Sequence, residues 1–200
     1  MKFLDFVEEN NIPFDKEKLY MEEYTTGVTL ENLDGIEDFT NLKELEVEDC
    51  GLKGIGKLPE TLVFLNIKSN RISEIEELPK GLKILMANDN CIENIELPDS
   101  LECLEVRYNL IKSISFPNSL KQLCIADNPL EEVKEFPEEI VLTPIKFVYE
   151  MFENTPIGDR YNNDWKTIQL VVNNLNGESA KRGAASIADT GLFDFKIRLT

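Results

Sequence analysis

Histidine is missing from all 200 residues, tryptophan occurs once and cysteine four times. Without an imidazole there is no ordinary general base, no catalytic triad and no histidine ligand for zinc. Cys50, Cys91, Cys103 and Cys124 have neither metal-knuckle spacing nor the look of a disulfide framework, so a reducing compartment is expected. Cys124 has Asp127 nearby but no base to activate it. Phosphate loops of the G-x-x-x-x-G-K-[ST] or G-x-G-x-x-G kind and calcium-loop acid spacing are also missing. The expectation is a protein that is not an enzyme and that takes no cofactor and no metal. Basic side chains are scarce too, 21 against 38 acidic ones, for a net charge of −17. Such a charge repels nucleic acid and anionic membrane and favours a partner with a basic surface; alternatively it only keeps the chain soluble. The opening MKFLDFVEEN places Asp5, Glu8 and Glu9 where a signal peptide needs an apolar run, and no stretch is long and apolar enough to span a bilayer. Folding in the cytoplasm, bacterial or of a host cell, is expected.

What the chain has in abundance is one phrase. From Leu42 to Phe136 it reads LKELEVEDCGLKGIGKL, PETLVFLNIKSNRISEIEEL, PKGLKILMANDNCIENIEL, PDSLECLEVRYNLIKSISF and PNSLKQLCIADNPLEEVKEF. The shared pattern is P-x-x-L-x-x-L-x-[IVA]-x-x-N-x-[IL]-x-x-[IV]-x-x-[LF]. Leu42, Leu62, Leu82, Leu101 and Leu120 hold the same place in successive copies, and Ile140 opens an unfinished one. A fixed period of this kind, about 20 residues, marks a solenoid, in which each copy buries its faces on its neighbours.

Each copy holds one alternating segment, such as Phe64 to Lys68, in which Leu65 and Ile67 point inward and Phe64, Asn66 and Lys68 outward. About a dozen residues then remain for the return, too few for a helix and two loops. The convex side is therefore expected to be extended, with Ile72, Ile75, Leu78 and their equivalents dipping inward and Pro59, Pro79, Pro98, Pro117 and Pro137 heading the copies. Asn70, Asn90, Asn109 and Asn128, with Cys50 in the first copy, form a ladder where the strand turns. A buried amide there can bond both the N–H and the C=O groups that leave the sheet, so the ladder reads as structural.

These residues carry a resemblance. The chain is similar to leucine-rich-repeat proteins, and its short LP-x-x-L-x-x-L copies resemble the subclass in bacterial type III secreted effectors; related repeats occur in proteins of large DNA viruses. The resemblance spans roughly residues 25 to 142. It implies an α/β solenoid, a right-handed leucine-rich-repeat arc with a parallel concave β-sheet, an extended convex side and helical caps at both ends, whose work is to bind other proteins. The ubiquitin-ligase domain that some effectors carry is far larger than the segment after the repeats, so that activity is not carried over.

The ends are expected to be caps. Phe3 to Asn10 suits a short helix, and Lys16 to Tyr24 a further helical turn with Leu19, Met21 and Tyr24 for packing. Val28, Leu33, Ile36 and Phe39 lie one period before Val47, Leu52, Ile55 and Leu58, so the first rung is expected near Val28. After Ile140, Pro144 can open a helix through Ile145, Val148, Tyr149 and Phe152. Asp164 can cap another through Trp165, Ile168, Val171, Val172 and Leu175, stopped at Gly177, with Trp165 in the core. The division is an N-terminal cap (1–24), a solenoid (25–142), a C-terminal helical cap (143–177) and a tail (178–200). In that tail Phe193, Phe195, Ile197 and Leu199 alternate with Asp194, Lys196 and Arg198, the period of a half-buried strand that can dock on a sheet edge in the same or another chain.

Two functions compete. In the first, the protein is an interaction module that binds a protein partner on its concave face. In register, the outward columns would be Glu44, Phe64, Ile84, Cys103, Gln122; then Glu46, Asn66, Met86, Glu105, Cys124; then Glu48, Lys68, Asn88, Arg107, Ala126. Phe64, Ile84, Met86, Cys103 and Cys124 make an apolar centre, with Glu105 and Arg107 beside it, and such a patch usually marks an interaction site. In the second, the protein is a structural component of a larger assembly such as a virion shell, docked through Phe193, Phe195, Ile197 and Leu199. An acidic decoy for basic nucleic-acid-binding surfaces is a third, weaker reading.

Overall fold

The computed structural model describes residues 1–22 and 29–135. Helix α1 (Phe3–Glu9) is followed by strands β1 (Lys18–Glu22), β2 (Glu44–Glu48), β3 (Phe64–Asn66), β4 (Ile84–Met86), β5 (Cys103–Glu105), β6 (Ser113–Ser115), β7 (Gln122–Cys124) and β8 (Glu132–Glu135). Strands β1-β2-β3-β4-β5-β7 form one parallel sheet in that order, one strand per rung, and β6 pairs with β8 in a second, parallel pair. The pairing follows the repeat without slip, with Leu45, Leu65, Leu85, Leu104 and Leu123 in one transverse row. A one-residue shift would turn every leucine out to solvent, so the buried face fixes the register.

Under the sheet lies a single stacked core. Leu42, Leu62, Leu82, Leu101 and Leu120 are fully buried, and so are Val47, Ile67, Ala87, Val106 and Ile125 and the row Leu52, Ile72, Ile92, Ile111, Leu130. The convex side is extended as expected, with Ile75, Ile95 and Leu97 partly buried against the core. It also pairs with itself, through a Glu74–Asn94 bridge and the β6–β8 pair. Each proline begins a tight turn into the next rung: the N–H groups of Leu62, Leu82, Leu101 and Leu120 donate to the carbonyls of Pro59, Pro79, Pro98 and Pro117 at 3.0–3.1 Å. Proline suits this place because only its carbonyl is needed.

The asparagine ladder ties one rung to the one before it. Asn70 Oδ1 accepts the Cys50 and Leu52 N–H groups at 3.1 and 3.0 Å, while its Nδ2 donates to the carbonyls of Val47, Ile67 and Lys68. Asn90, Asn109 and Asn128 repeat this on the Ile72, Ile92 and Ile111 N–H groups, each at 3.0 Å. Just before each ladder residue the backbone turns left-handed, at Asp49, Ser69, Asp89, Tyr108 and Asp127, with φ between 52° and 57°. Aspartate and serine sit there at modest strain; a bulky tyrosine does not.

The N-terminal end departs from the sequence reading in one respect. Helix α1 is present, ends on the left-handed Asn11 (φ 50°) and buries Phe3, Phe6 and Val7. Lys18–Glu22, however, is not a helical turn but β1, paired Lys18↔Glu44 through Glu22↔Glu48. Leu19 and Met21 are buried and Lys18 and Tyr20 exposed, which is alternation of period two. The first concave strand therefore begins further back than one period: Glu44 pairs with Phe64 on the following rung but with Lys18, not with a residue near Val28, on the preceding one. Leu33, Ile36 and Phe39 are fully buried, as their place in the repeat leads one to expect. Tyr24 and Val28 lie outside the described residues, as do residues 143–177, where a helical cap with Trp165 is expected, and the tail (178–200), where a terminal strand is expected.

The cap closes through aromatic contacts. Phe39 meets the rings of Phe3 at 5.9 Å and Phe14 at 4.8 Å. Leu4 lies so close to Gly35 (φ 97°) that a Cβ there would come within 2.5 Å of the leucine side chain. Glycine is needed at this position both for its dihedral angle and for that approach.

Candidate concave interaction surface

The sheet register places the outward columns residue by residue. The first runs Lys18, Glu44, Phe64, Ile84, Cys103, Gln122, and the second Tyr20, Glu46, Asn66, Met86, Glu105, Cys124. The sequence columns thus gain Lys18 and Tyr20 from β1. The candidate residues Phe64, Ile84, Met86, Cys103, Glu105, Arg107 and Cys124 share this face, and all seven are partly buried rather than open. Two expected members turn away from solvent. Asn66 is 5% exposed and Ala126 fully buried.

Asn66 is buried because it serves its neighbours. Its Nδ2 donates to Glu46 at 3.1 Å and Glu48 at 3.3 Å, and its Oδ1 accepts the Lys68 N–H at 3.2 Å. Asn88 acts likewise one rung on, donating to Glu105 at 2.9 Å and accepting the Arg107 N–H at 2.8 Å. Lys68 reaches the same Glu105 oxygen at 3.2 Å, and the Arg107 guanidinium pairs with Asp127 at 3.0 Å. A polar lattice, its own side chains fixed by these bonds, therefore flanks the apolar row Phe64, Ile84, Met86. Side chains held this way lose little freedom on contact with a partner.

Charge is uneven along the arc. On β2, Glu44 is shared by the Lys18 ammonium at 2.7 Å and the Tyr20 hydroxyl at 2.8 Å. These hydrogen bonds hold its carboxyl below the ordinary glutamate value and raise the Tyr20 phenol and the Lys18 ammonium. Glu46 and Glu48 meet Asn66 and, among the described residues, no cation. At the rim, Glu102 takes both Lys121 and Lys83, which depresses its carboxyl. Burial raises the Cys103 and Cys124 thiols above the ordinary cysteine value.

The most exposed apolar groups lie off the candidate list. Tyr108 is 51% exposed and Leu110 46%, on the turn that follows β5, with the Arg107 guanidinium 5.1 Å from the tyrosine ring centroid; Val63 stands at the rim. Aligning the positions just before and after the ladder asparagine would have singled out Tyr108 and Leu110, because Asp or Ser and small or polar residues fill those places in most other copies. Phe193, Phe195, Ile197 and Leu199 lie outside the described residues.

No family model matches this sequence, and no curated protein matches it. Solved structures do. The repeat domain of a Shigella effector is 28% identical with a TM-score of 0.51, over 76% of this chain and 63% of that one. YopM from Yersinia enterocolitica is 27% identical with a TM-score of 0.45, over 55% of this chain and 26% of its own length. The chain thus spans less than two thirds of either. Solenoids of this kind generally mediate protein–protein interaction. With one parallel strand per repeat, a ladder of Asn70, Asn90, Asn109 and Asn128 behind the strands and the likeness to the Shigella domain, this chain has the fold of a leucine-rich-repeat solenoid similar to that effector domain.

Proposed function

We propose that the protein is a non-enzymatic binding module that grips a protein partner on its concave face, with Phe64, Ile84 and Met86 as the anchoring centre. The observation that carries this is the partly exposed apolar row flanked by a fixed polar lattice, beside the Glu46 and Glu48 carboxylates, which meet no cation among the described residues. A partner that presents an apolar side chain next to a lysine or arginine meets both features at once. The chain's excess of acidic side chains supports a basic partner and disfavours nucleic acid or an anionic membrane. Glu105, Arg107, Cys103 and Cys124 complete the surface on the far side of the row.

Crosslinking in the native source, followed by mass spectrometry, identifies the partner, and its affinity is then measured by calorimetry for purified variants. Phe64→Glu and Ile84→Glu should each weaken binding by at least about 30-fold, since loss of a central anchor costs on the order of 2 kcal/mol or more. Their circular dichroism and melting should stay close to wild type. Glu93→Arg on the convex side should bind normally. Equal affinity for Phe64→Glu and wild type would remove the concave face from the reading.

A further inference from the structure

Among the described residues the sheet has an unpaired edge at β1. Strand β1 is outermost in the order and, among the described residues, pairs with β2 alone. The Glu17 carbonyl accepts the Lys43 and Glu44 N–H groups at 2.8 and 3.1 Å. Successive residues of a strand turn their backbone groups to opposite sides, so Leu19 and Met21 also serve β2, while Lys18, Tyr20 and Glu22 offer theirs outward. Among the described residues the cap makes no backbone bond to that side: its backbone bonds run within residues 2–16, and the Met1 amine goes to the Thr29 carbonyl. An unpaired strand edge of this length, Lys18 to Glu22, is a template for another strand.

Two further observations describe the strand that would fit. Among the described residues the large exposed apolar side chains include Met1, Leu4, Phe14 and Tyr20, all at this end. Residues 1–60 also hold 16 acidic against 6 basic side chains. The occupant should be extended, apolar on one face and basic on the other. This sequence contains such a segment: in residues 193–199 Phe193, Phe195, Ile197 and Leu199 alternate with Asp194, Lys196 and Arg198, and residues 180–200 hold four basic and two acidic side chains. Residues 136–192 separate β8 from this segment, a length of chain that reaches the β1 edge of a neighbouring copy.

We propose that residues 193–199 of one copy add as a strand to the outer edge of β1 in a second copy. Because donor and acceptor differ, the contact is head to tail, and repetition gives a ring or a filament. Lys196 and Arg198 then approach the acidic first rungs, and the apolar face of the added strand covers the exposed cap residues.

The test uses full-length chains in sedimentation velocity. Wild type should grow in size with concentration. Ile197→Pro, which spoils the donor strand, and Tyr20→Pro, which removes an outward N–H at the edge together with the exposed Tyr20–Glu44 hydrogen bond, should each be monomeric. Their equimolar mixture should give a one-to-one dimer and nothing larger, since one chain keeps the edge and the other the strand. Phe64→Glu should assemble like wild type, which separates this contact from partner binding on the concave face. If a proline variant fails to fold, a synthetic GLFDFKIRLT peptide in excess over wild type should return the assemblies to monomers. A wild type that is monomeric at every concentration, proline variants that assemble as wild type does, or assemblies that excess peptide leaves intact would each overturn the proposal.

Discussion

Two residue positions per repeat decide how the strand leaves the sheet, and they differ in how visible they are. The ladder asparagine recurs at a fixed place, and its amide can bond both donor and acceptor, so its structural role is readable from the sequence. Asn90 shows the stake: it is 8% exposed and bridges the Ile72 N–H to the carbonyls of Ile67, Ala87 and Asn88. Asn90→Ala should lower the unfolding free energy by about 3 kcal/mol or more in urea titration, because buried partners on two rungs lose their bonds together. The residue before it takes a left-handed conformation in every copy, which no spacing reveals, since the column Asp49, Ser69, Asp89, Tyr108, Asp127 reads as ordinary surface. Tyr108 is the misfit. Asparagine tolerates this conformation better than tyrosine does, by about 1 kcal/mol, and losing the exposed Arg107–ring contact gives back about 0.5. Tyr108→Asn should therefore stabilise the protein by about 0.5 kcal/mol. A loss of stability in the same titration would mean that the ring is needed for folding.

At the level of elements, the repeat made five strands, their register and the extended return legible, because so short a period leaves room for nothing else. It concealed the sixth. The connection from β1 to β2 is longer than one copy, which shifts β1 out of phase with every other strand, so a search by period passes over it and a search by helical spacing misreads Leu19 and Met21. Strict alternation over Lys18–Glu22 was the signal that could have decided the matter. The two readings differ in what they ask of Met21. It is 2% exposed beneath β1, so Met21→Ala should cost about 2 to 4 kcal/mol, and amide exchange should show Leu19 and Met21 protected together with β2. Fast exchange at both amides would return Lys18–Glu22 to a loosely held cap. Concave-face membership of the seven candidate residues was equally legible, since it needs only alternation and register. The burial of Asn66 was not, because it depends on side chains of the preceding rung.

For the whole molecule, stacking and charge pull in opposite directions. A solenoid has no contacts between distant rungs, so its stability is a sum of neighbour terms, and anything that pushes adjacent rungs apart acts at every interface. Here the push is electrostatic: folding gathers 38 acidic residues against only 21 basic ones, and the net charge of −17 repels itself. The ion pairs act the other way. Hydrogen bonds to Lys18 and Tyr20 hold Glu44, and those to Lys121 and Lys83 hold Glu102, below the ordinary carboxylate value. Their contribution is present above that value and is lost as pH falls through the lowered one. Both effects lie on the surface and are screened by salt, but the repulsion involves the excess of 17 charges while each exposed pair counts for little. Screening therefore removes more destabilisation than stabilisation. Raising sodium chloride from about 20 to about 500 mM at pH 7 should lift the melting temperature by several degrees, most of it below about 150 mM, where the Debye length falls to about 8 Å. A melting temperature that falls over this range would mean that the rung-to-rung ion pairs outweigh the repulsion, and that the acidic surface is neutralised locally by its own lysines.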